Sequence, residues 1–453
     1  MLNQILKPNS TLLNITPVKE NIQSTNSGAT DQILSTIKTT PLVYYYNVKL
    51  ELDLVIKIEM NIDGFLPTCV VTYNDLTDII NNVGHPIDDS FLTIHFPSLS
   101  DILPNVFMEF KIYDYMYSSS SDKMIKFYGV ANISNILYKE FKSYPNMTSF
   151  ETLTEICKTV GLGLRSNIDN TSDKMTRINP GMFIYDFMTD TLNKSWISES
   201  SFIVGYIDAY YNLNIIDVEK ALEEDLKNNK WVLNDILSKN QQEYLVKDSN
   251  LSEDLTTPLL IDNELFSTTN LYINNIKINN NSSGISLKRG YRRNAQYYDI
   301  DGNWEKKSGT YKIYDVDTIT TPNIENKGII LKGGITKQSK DFYLKNTGNY
   351  YLGCYDTSNV YPDYLYAKLQ NSENLKDLQK VSLSCNLPIP NFNINSYQKV
   401  KVLMNSDKIG VPNGTFNLSK INGDWLVVSH TLIYENNDYH QKVSLVKREL
   451  EFL

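Results

Sequence analysis

The sequence is poor in the residues that most often carry metal binding, disulfide bonds or catalysis. It has 4 cysteines and 4 histidines in 453 residues. The cysteines lie far apart and form no CxxC pair, which argues against a zinc site and against a disulfide framework. At this density they indicate small buried hydrophobic residues in a reducing compartment. They are Cys69, Cys157, Cys354 and Cys385.

Positive charge is also in deficit, with 43 Lys and Arg against 52 Asp and Glu and a net charge of -9. Nonspecific binding to DNA, RNA or anionic lipid depends on Lys and Arg, so we expect none here. No apolar run reaches the roughly 18 residues that span a bilayer. The first residues, MLNQILKPNSTLL, lack the sustained apolar core of a signal peptide. We therefore expect no stable membrane binding.

Motifs for nucleophilic catalysis and phosphate binding are missing as well. There is no GxSxG, and the glycine pairs at 161–163 and 332–334 do not continue as GxGxxG or GK[ST]. Acidic clusters occur at 88–89, 223–225 and 299–301, but sequence alone cannot place two carboxylates at the separation that glycosidase chemistry needs. We interpret these clusters as turns or solvated surface. We predict no catalytic residue and no cofactor, and hence a protein that is not an enzyme.

The histidines do not predict a metal site. His430 and His440 lie on the two sides of a predicted hairpin, but pairing about its turn places His430 near Val443. The two imidazoles are then not opposite each other, and a third ligand with suitable spacing is missing. His85 and His95 have no partner pattern either, so the prediction is no metal.

What the chain does have is tyrosine, 31 residues of it, beside many Asn, Ser and Thr. Tyrosine favours strands and tolerates a half-exposed face, so this composition predicts a mainly β protein with a large contact surface. The length is too great for one core and suggests roughly two to four domains.

The N-terminal half predicts an arm followed by a β domain. Residues 1–40 are polar and are interpreted as an arm that orders against a neighbour, or as a flexible tail. Apolar and mostly charged residues then alternate from Val48 to Glu59, which predicts one long strand of a barrel wall. Further strands follow, so residues 41–145 are predicted to form a first antiparallel barrel. Those strands are predicted at Phe65–Tyr73, Ser90–Phe96, Val106–Tyr115 and Met124–Leu137.

A helical pattern begins at Thr148, which with Glu151 forms a capping box, and it ends at Gly161. A second helix is predicted from about Pro180 to Lys194. Buried strands and a helix that starts after Asp217 complete an α+β domain over residues 146–240. The predicted strands are Phe202–Asp208 and Leu213–Ile216, and the inner face of the second helix is predicted to be Met182, Tyr185, Met188 and Leu192.

Residues 241–285 together with 385–453 are predicted to form a second barrel, with a β-rich insertion over 286–384. Its strands include Asn270–Ile278 and a final hairpin, Asp424–Tyr434 with Tyr439–Leu450. The insertion carries the only local patch that mixes Arg with Tyr. This patch could bind an anionic polymer, but the negative surroundings favour an intersubunit contact. It consists of Arg289, Tyr291, Arg292, Arg293, Tyr297 and Tyr298.

The stretch from Thr148 to about Leu226 resembles the central baseplate hub proteins of contractile-tailed bacteriophages, a family related to the N-terminal part of type VI secretion spike proteins. The matching features are the capped helix ending in Gly-Leu-Gly, an Asn- and Asp-rich turn before Met175, and Trp196 ahead of a buried strand. The segment from Tyr210 to Asn214 and the C-terminal hairpin ending in QKVSLVKREL also agree.

This resemblance implies a structural protein of the virion tail baseplate, assembled in the host cytoplasm as a homotrimer. Each chain would supply two tail-tube-like barrels, so that three chains match a sixfold tube to a threefold spike. The implied partners are a central spike protein, a tail tube or tube-initiator protein and baseplate wedge proteins, with DNA only passing through the lumen. The alternatives are a receptor- or glycan-binding tail adhesin and, less favoured, a cell-wall hydrolase.

Overall fold

The structure, a computed structural model, is a mainly β protein of the α+β class. It describes residues 2–9, 41–87, 90–96, 105–118, 123–198, 201–223, 232–234, 270–280, 292–298, 304–310, 339–344, 367–368, 371, 374–375, 378–388, 390–392, 394–403, 421, 423–436 and 438–447. No helix in these ranges has the length and apolar character needed to cross a membrane.

The secondary structure alternates long runs of strands with short runs of helices. The helices are a 3-10 turn at Leu52–Leu54, then α1 Ile79–Val83, α2 Ser149–Val160, α3 Ile184–Asn193 and α4 Val218–Glu223. The strands of the first half are β1 Asn3–Leu6, β2 Leu42–Tyr45, β3 Val48–Lys49, β4 Val55–Ile62, β5 Thr68–Asn74, β6 Phe91–Phe96, β7 Val106–Ser118, β8 Met124–Ala131, β9 Lys139–Met147, β10 Gly163–Ser166, β11 Met175–Phe183, β12 Ile203–Ile207 and β13 Asn212–Asp217. Those of the second half are β14 Val232–Asn234, β15 Asn270–Tyr272, β16 Asn274–Asn280, β17 Arg292–Tyr298, β18 Trp304–Thr310, β19 Ser339–Leu344, β20 Val381–Leu387, β21 Lys399–Leu403, β22 Gly423–Glu435 and β23 Asp438–Lys447.

A 14-stranded sheet dominates the molecule and consists of two rows that each curl back on themselves. The first row runs β4-β5-β8-β7-β6-β2-β3, and its two ends are successive pieces of one chain stretch, residues 48–62. The second row runs β16-β20-β23-β22-β21-β14-β15, and its ends are again successive pieces, residues 270–280. Two β-barrels result, as the sequence predicts.

The two barrels have the same order of strands. If β2, β3 with β4, β5, β6, β7 and β8 are matched in turn to β14, β15 with β16, β20, β21, β22 and β23, every neighbour in one barrel has its counterpart in the other. The register agrees as well, because equivalent residues face each other across four successive strands. In the first barrel the row across β4, β5, β8 and β7 is Met60, Cys69, Gly129 and Ile112. In the second barrel the row across β16, β20, β23 and β22 is Ile278, Leu383, Leu445 and Val427.

One strand breaks the equivalence. β2 is antiparallel to both of its neighbours, whereas β14 is parallel to β15 and β21. β14 is therefore the exception to antiparallel pairing within the two rows of the large sheet. It is only 3 residues long, and the sequence on either side of it has no readable period.

Between the barrels in sequence lies an α+β unit. Its sheet has the order β1-β10-β13-β12, and a separate two-stranded ribbon is formed by β9 and β11. Helices α2 and α3 bury their apolar faces against these strands. The start of the predicted arm supplies β1, which pairs antiparallel with β10 of the same chain. Residues 10–40 of the arm lie outside the described residues.

Helix α2 forms where the sequence predicts it. The Thr148 side chain accepts from the backbone N–H of Glu151, and the Glu151 carboxylate accepts from the backbone N–H of Thr148. These bonds satisfy donors that a helix start otherwise leaves unpaired. Gly161 closes the helix in the left-handed region at φ 83°, where glycine has no steric penalty.

Three sequence predictions need correction. The alternating stretch from Val48 to Glu59 is not one strand, because a 3-10 turn at Leu52–Leu54 separates β3 from β4. The phase also shifts at this break, so that Val55 is buried and Ile56 is exposed. Asn270–Ile278 is likewise divided, at Ile273. In both cases the chain leaves one neighbouring strand to join another, which closes the barrel.

The third correction concerns the second helix. It begins at Ile184 and not near Pro180, because β11 continues through Pro180 to Phe183 as the partner of β9. Its buried face is Ile184, Phe187, Met188, Thr191 and Leu192. Met182 and Tyr185 are therefore only partly buried, contrary to the prediction.

Candidate assembly surfaces

The two barrels meet at one shared strand, β22. Its first part, Gly423–Leu426, pairs with β21 inside the second barrel. Its last part, His430–Glu435, pairs antiparallel with β4 of the first barrel. β23 pairs with it along its other edge. The seam between the barrels is therefore a set of backbone hydrogen bonds within one chain.

Side chains reinforce the seam. Thr431 Oγ1 donates to Asn61 Oδ1 at 3.0 Å, between residues that are directly opposite. Lys57 Nζ lies 2.8 Å from Glu59 and 4.0 Å from Glu435. The pKa of Lys57 is raised, chiefly by its hydrogen bond to Glu59. Since these three side chains are partly exposed, their charges contribute little. Strand pairing and the buried side chains of Leu432 and Tyr434, which share a core with Ile58, provide the attachment.

A small cavity lies behind the seam, where the α+β unit reaches both barrels. Its lining includes Ile62 from β4, His430 and Leu432 from β22, and Asp208 with Tyr210 from the turn between β12 and β13. Burial lowers the pKa of His430 to about 4, so the imidazole is neutral at pH 7. The Gln441 amide lies 3.3 Å from His430 Nδ1.

The Asp208 carboxylate organises the turn that lines this cavity. It accepts from the backbone N–H groups of Tyr210 and Asn212, both at 2.9 Å, and lies 3.5 Å from the Arg165 guanidinium. Burial raises the pKa of Asp208. The turn places Tyr211 in the left-handed region at φ 59°, which these side-chain bonds help to hold.

The α+β unit is bonded to both barrels. The Tyr211 hydroxyl accepts from the backbone N–H of Glu109 on β7 at 3.0 Å. The Tyr206 hydroxyl donates to the carbonyl of Ser396 at 3.2 Å, ahead of β21. Lys399 Nζ, on β21 itself, donates to the carbonyl of Leu222 at 2.9 Å. The unit thus fixes the distance between the barrels on the side where it lies.

The first barrel has a strand equivalent to β22, namely β7, but in the described residues this strand forms no seam with another barrel. β7, like β22, is 13 residues long and has a register irregularity midway. Its outer part, from Asp114 onward, extends beyond β6 and pairs with β8. This extension exposes large apolar side chains, with Met116 60% and Tyr117 38% exposed, and Tyr113 just before it is 64% exposed.

A second exposed edge is β16, the counterpart of β4. In the described part of the sheet its one neighbour is β20, whereas β4 pairs with both β5 and β22. Ile278 on this strand is 37% exposed, although its counterpart Met60 is fully buried. Among the described strands, the outer part of β7 and one edge of β16 therefore have no paired neighbour.

The predicted Arg and Tyr patch lies only partly within the described residues. Arg289 and Tyr291 fall outside them. Arg292, Arg293, Tyr297 and Tyr298 all belong to β17, the central strand of a three-stranded sheet with β18 and β19. In that sheet Arg292 is opposite Thr310, and Tyr298 is opposite Trp304. Their role as an interface stays a prediction.

Other residues considered for chemistry have ordinary surroundings. The predicted placement of His430 opposite Val443 is confirmed. Cys69, Cys157 and Cys385 are buried and free, as predicted. Within the described ranges no cluster of three or more His, Cys, Asp or Glu could hold a metal ion. The acidic clusters at 88–89 and 299–301, residues 224–225 and the glycines at 333–334 lie outside the described residues.

No family model and no curated protein matches the sequence. Several solved structures are similar to the structure of this chain. A tail protein from Neisseria meningitidis is 9% identical and has a TM-score of 0.48, over 90% of this chain and 96% of that one. A tail protein of prophage MuSo2 from Shewanella oneidensis is 10% identical with a TM-score of 0.49, over 90% and 98%.

A third similar structure is an E. coli protein described as a component of the type VI secretion system. It is 9% identical with a TM-score of 0.39, over 88% of this chain and 76% of that one. The solved structures similar to this chain are thus described as tail and type VI secretion proteins. All three TM-scores are below 0.5, so these similarities alone do not assign a function to this chain.

Proposed function

We propose that this chain is a structural, non-enzymatic component of a bacteriophage tail, namely the trimeric central hub of the baseplate. The observation that carries the proposal is the pair of barrels with one strand order and one register in a single chain. Three such chains present six similar barrels about a threefold axis. A particle of this kind can contact a sixfold tube at one end and a threefold spike at the other.

The α+β unit supports this role as a spacer. Its hydrogen bonds from Tyr211 to the first barrel and from Tyr206 to the segment before β21 hold it against both barrels at once. A buried ion pair stiffens the unit, since Arg177 Nη2 lies 2.8 Å from Asp173 Oδ2 and also bonds the Ser149 hydroxyl. A rigid spacer keeps six barrels at fixed positions in a ring.

The proposed partners follow from this position. They are two further copies of the chain, a central spike protein, a tail tube or tube-initiator protein, and baseplate wedge proteins. DNA would pass through the ring without being held, which the net charge of -9 favours because acidic walls do not bind phosphates. The Arg and Tyr residues of β17 are proposed to contact another subunit, as residues of these types often do.

Labelling of intact tails tests the proposal. Tails of the phage that encodes the chain are imaged by electron microscopy with an antibody raised against the purified chain. A central hub predicts label only at the axis, at the junction between tube and spike. Label at the tips of peripheral fibres would support the adhesin alternative and overturn the hub.

The non-enzymatic part has its own test. Purified chain is incubated with peptidoglycan, and the release of soluble fragments is measured. No release is expected. Cleavage that one Asp or Glu substitution abolishes would show a cell-wall hydrolase and contradict the proposal.

A further inference from the structure

Because the two barrels are equivalent, each of the two seam strands, β22 and β4, has a counterpart in the other barrel. These two counterparts do not pair with each other within the chain. The seam joins β22 of the second barrel to β4 of the first. The counterpart of β22 is β7, and the counterpart of β4 is β16. In the described part of the sheet, the outer part of β7 and the whole of β16 have no paired strand along the edge that the seam uses.

We propose that the outer part of β7 in one copy of the chain pairs antiparallel with β16 of a neighbouring copy, and that this pairing is the contact between subunits. It repeats between chains the seam that β22 and β4 form within a chain. The proposal rests on the trimer proposed above, and it names the surfaces that the trimer uses.

The register of the contact follows residue by residue. Ile112 and Val427 are equivalent positions at the irregularity of the two long strands, so Met116 corresponds to Thr431 and Tyr117 to Leu432. Met60 and Ile278 are equivalent on the other side, so Asn61 corresponds to Asn279. Within the chain Thr431 faces Asn61 and Leu432 faces Met60. Between chains, Met116 then faces Asn279 and Tyr117 faces Ile278.

The backbone and the side chains of both strands suit a pairing of β7 with β16 of a neighbouring copy. A strand edge and a strand extension each present backbone N–H and C=O groups, and pairing the two satisfies them at once. The contact would cover Tyr117 and Ile278, which are 38% and 37% exposed, and would bring Met116 and Tyr113 to its border. Tyr and Met are enriched at protein interfaces.

This contact also closes a ring. Within each chain, β22 links the second barrel to the first. Between chains, β7 links the first barrel to the second barrel of the next copy. Alternating the two links joins six barrels through three internal and three intersubunit seams, and an interface between two different surfaces is the type that generates closed rings.

Disulfide trapping tests the register. The variant M116C/N279C is oxidised, and its mass is read on a non-reducing gel. The matched control is T431C/N61C, the equivalent pair inside one chain, whose native side chains already lie 3.0 Å apart. A second control, M116C/K277C, is displaced by two residues and lies beyond disulfide reach. The unsubstituted chain reports any bridging by the native cysteines.

The expected result is that M116C/N279C moves from the 52.0 kDa band to bands of twice and three times that mass, reversibly with reductant. T431C/N61C should oxidise without leaving the monomer band, and M116C/K277C should stay reduced. Failure of M116C/N279C to cross-link overturns the inference. If light scattering then still shows a trimer, the trimer uses other surfaces and the proposed function stands. If neither a trimer nor a cross-link forms, the inference fails and the trimeric state with it.

Discussion

The first and second barrels share a strand order but differ in what surrounds them. The core of the first barrel is continuous with that of the α+β unit, from Phe110 and Ile58 to Leu153 and Leu213. The second barrel encloses a separate core around Trp425, Val400 and Leu445. The edge strand of the first barrel, β4, is paired with β22, while its counterpart β16 has no such neighbour in the described part of the sheet.

This difference indicates how one chain can supply two similar units for one ring. The first barrel is fixed by packing on the α+β unit and by the seam, so it forms the rigid side of the protomer. The second barrel is attached through β22, through polar bonds and through side chains such as Leu426 and Val446, which pack in the core of the first barrel and the α+β unit. Its strand β16 has no second neighbour in the described part of the sheet. The two barrels are therefore equivalent in topology but not in contacts.

The largest expected effect comes from emptying each core in turn. Trp425 is 1% exposed, and its indole N–H donates to the carbonyl of Ile421 at 2.8 Å. Replacing it in W425A should cost about 3–5 kcal/mol, because a large cavity and an unpaired carbonyl remain. The matched variant of the first barrel is F110A, with a loss of similar size. Unfolding by denaturant measures both.

Hydrogen exchange then locates each loss. W425A should speed exchange in β20 and β23 and leave β5 and β8 protected, because the two cores are separate clusters. F110A should do the reverse and also loosen α2, whose core is shared. Equal loss of protection in both barrels from either variant would contradict the separation of the cores.

The next effect in size is the acid sensitivity of the internal seam. The pKa of His430 is lowered from 6.5 to about 4 in the folded chain, so the unfolded chain takes up this proton first as the pH falls. Stability from this group is complete above pH 6.5 and is lost between about pH 6.5 and 4, reaching a loss of about 3 kcal/mol. The equivalent position in the first barrel holds Tyr115, so only one seam carries this imidazole.

Two buried carboxyls act in the opposite direction. Burial raises the pKa of Asp208, and it raises that of Asp217 to about 6, so both stabilise the folded chain toward acid. The measurement is therefore the difference between the unsubstituted chain and H430Q across pH 7 to 4, in which the carboxyl contributions cancel. A difference that stays constant over this range would show that His430 is not buried at the seam.

A smaller difference in stability is expected between substitutions in the seam within the chain and at its counterpart in the first barrel. T431V removes the hydroxyl that donates to Asn61, at 3.0 Å, and should lower the free energy of unfolding by about 1 kcal/mol. M116V changes the equivalent position of the first barrel, which is exposed in one chain, and should stay within about 0.5 kcal/mol of the original. Urea unfolding of dilute chain compares the two. Equal losses would mean that Met116 is already covered in the single chain.

Most of the correct sequence predictions depend on local signals such as helix caps and turns. The capping box of Thr148 and Glu151 and the stop at Gly161 act within a few residues, so they define α2 without knowledge of the rest. The turn at 435–438 likewise sets the register that places His430 opposite Val443. The strands predicted at Phe65–Tyr73, Ser90–Phe96, Val106–Tyr115 and Met124–Leu137 overlap β5 to β8, and the predicted final hairpin overlaps β22 and β23.

The missed features depend on distant parts of the chain. The breaks at Leu52–Leu54 and at Ile273 arise where a strand changes neighbours, and nothing in the alternation of apolar residues marks that change. The double use of β22 was missed for the same reason. The equivalence of the barrels is not visible as repeated residues, since Phe110 corresponds to Trp425 and Tyr115 to His430. The two barrels share strand order and register, but their residues at equivalent positions differ.

Single-particle electron microscopy of the assembled chain tests the central claim most directly, at a resolution that separates individual barrels. The expected image has six barrels around one open channel, in which first and second barrels alternate and the α+β units follow threefold symmetry. A ring of three first barrels, with the second barrels placed elsewhere, would contradict the account.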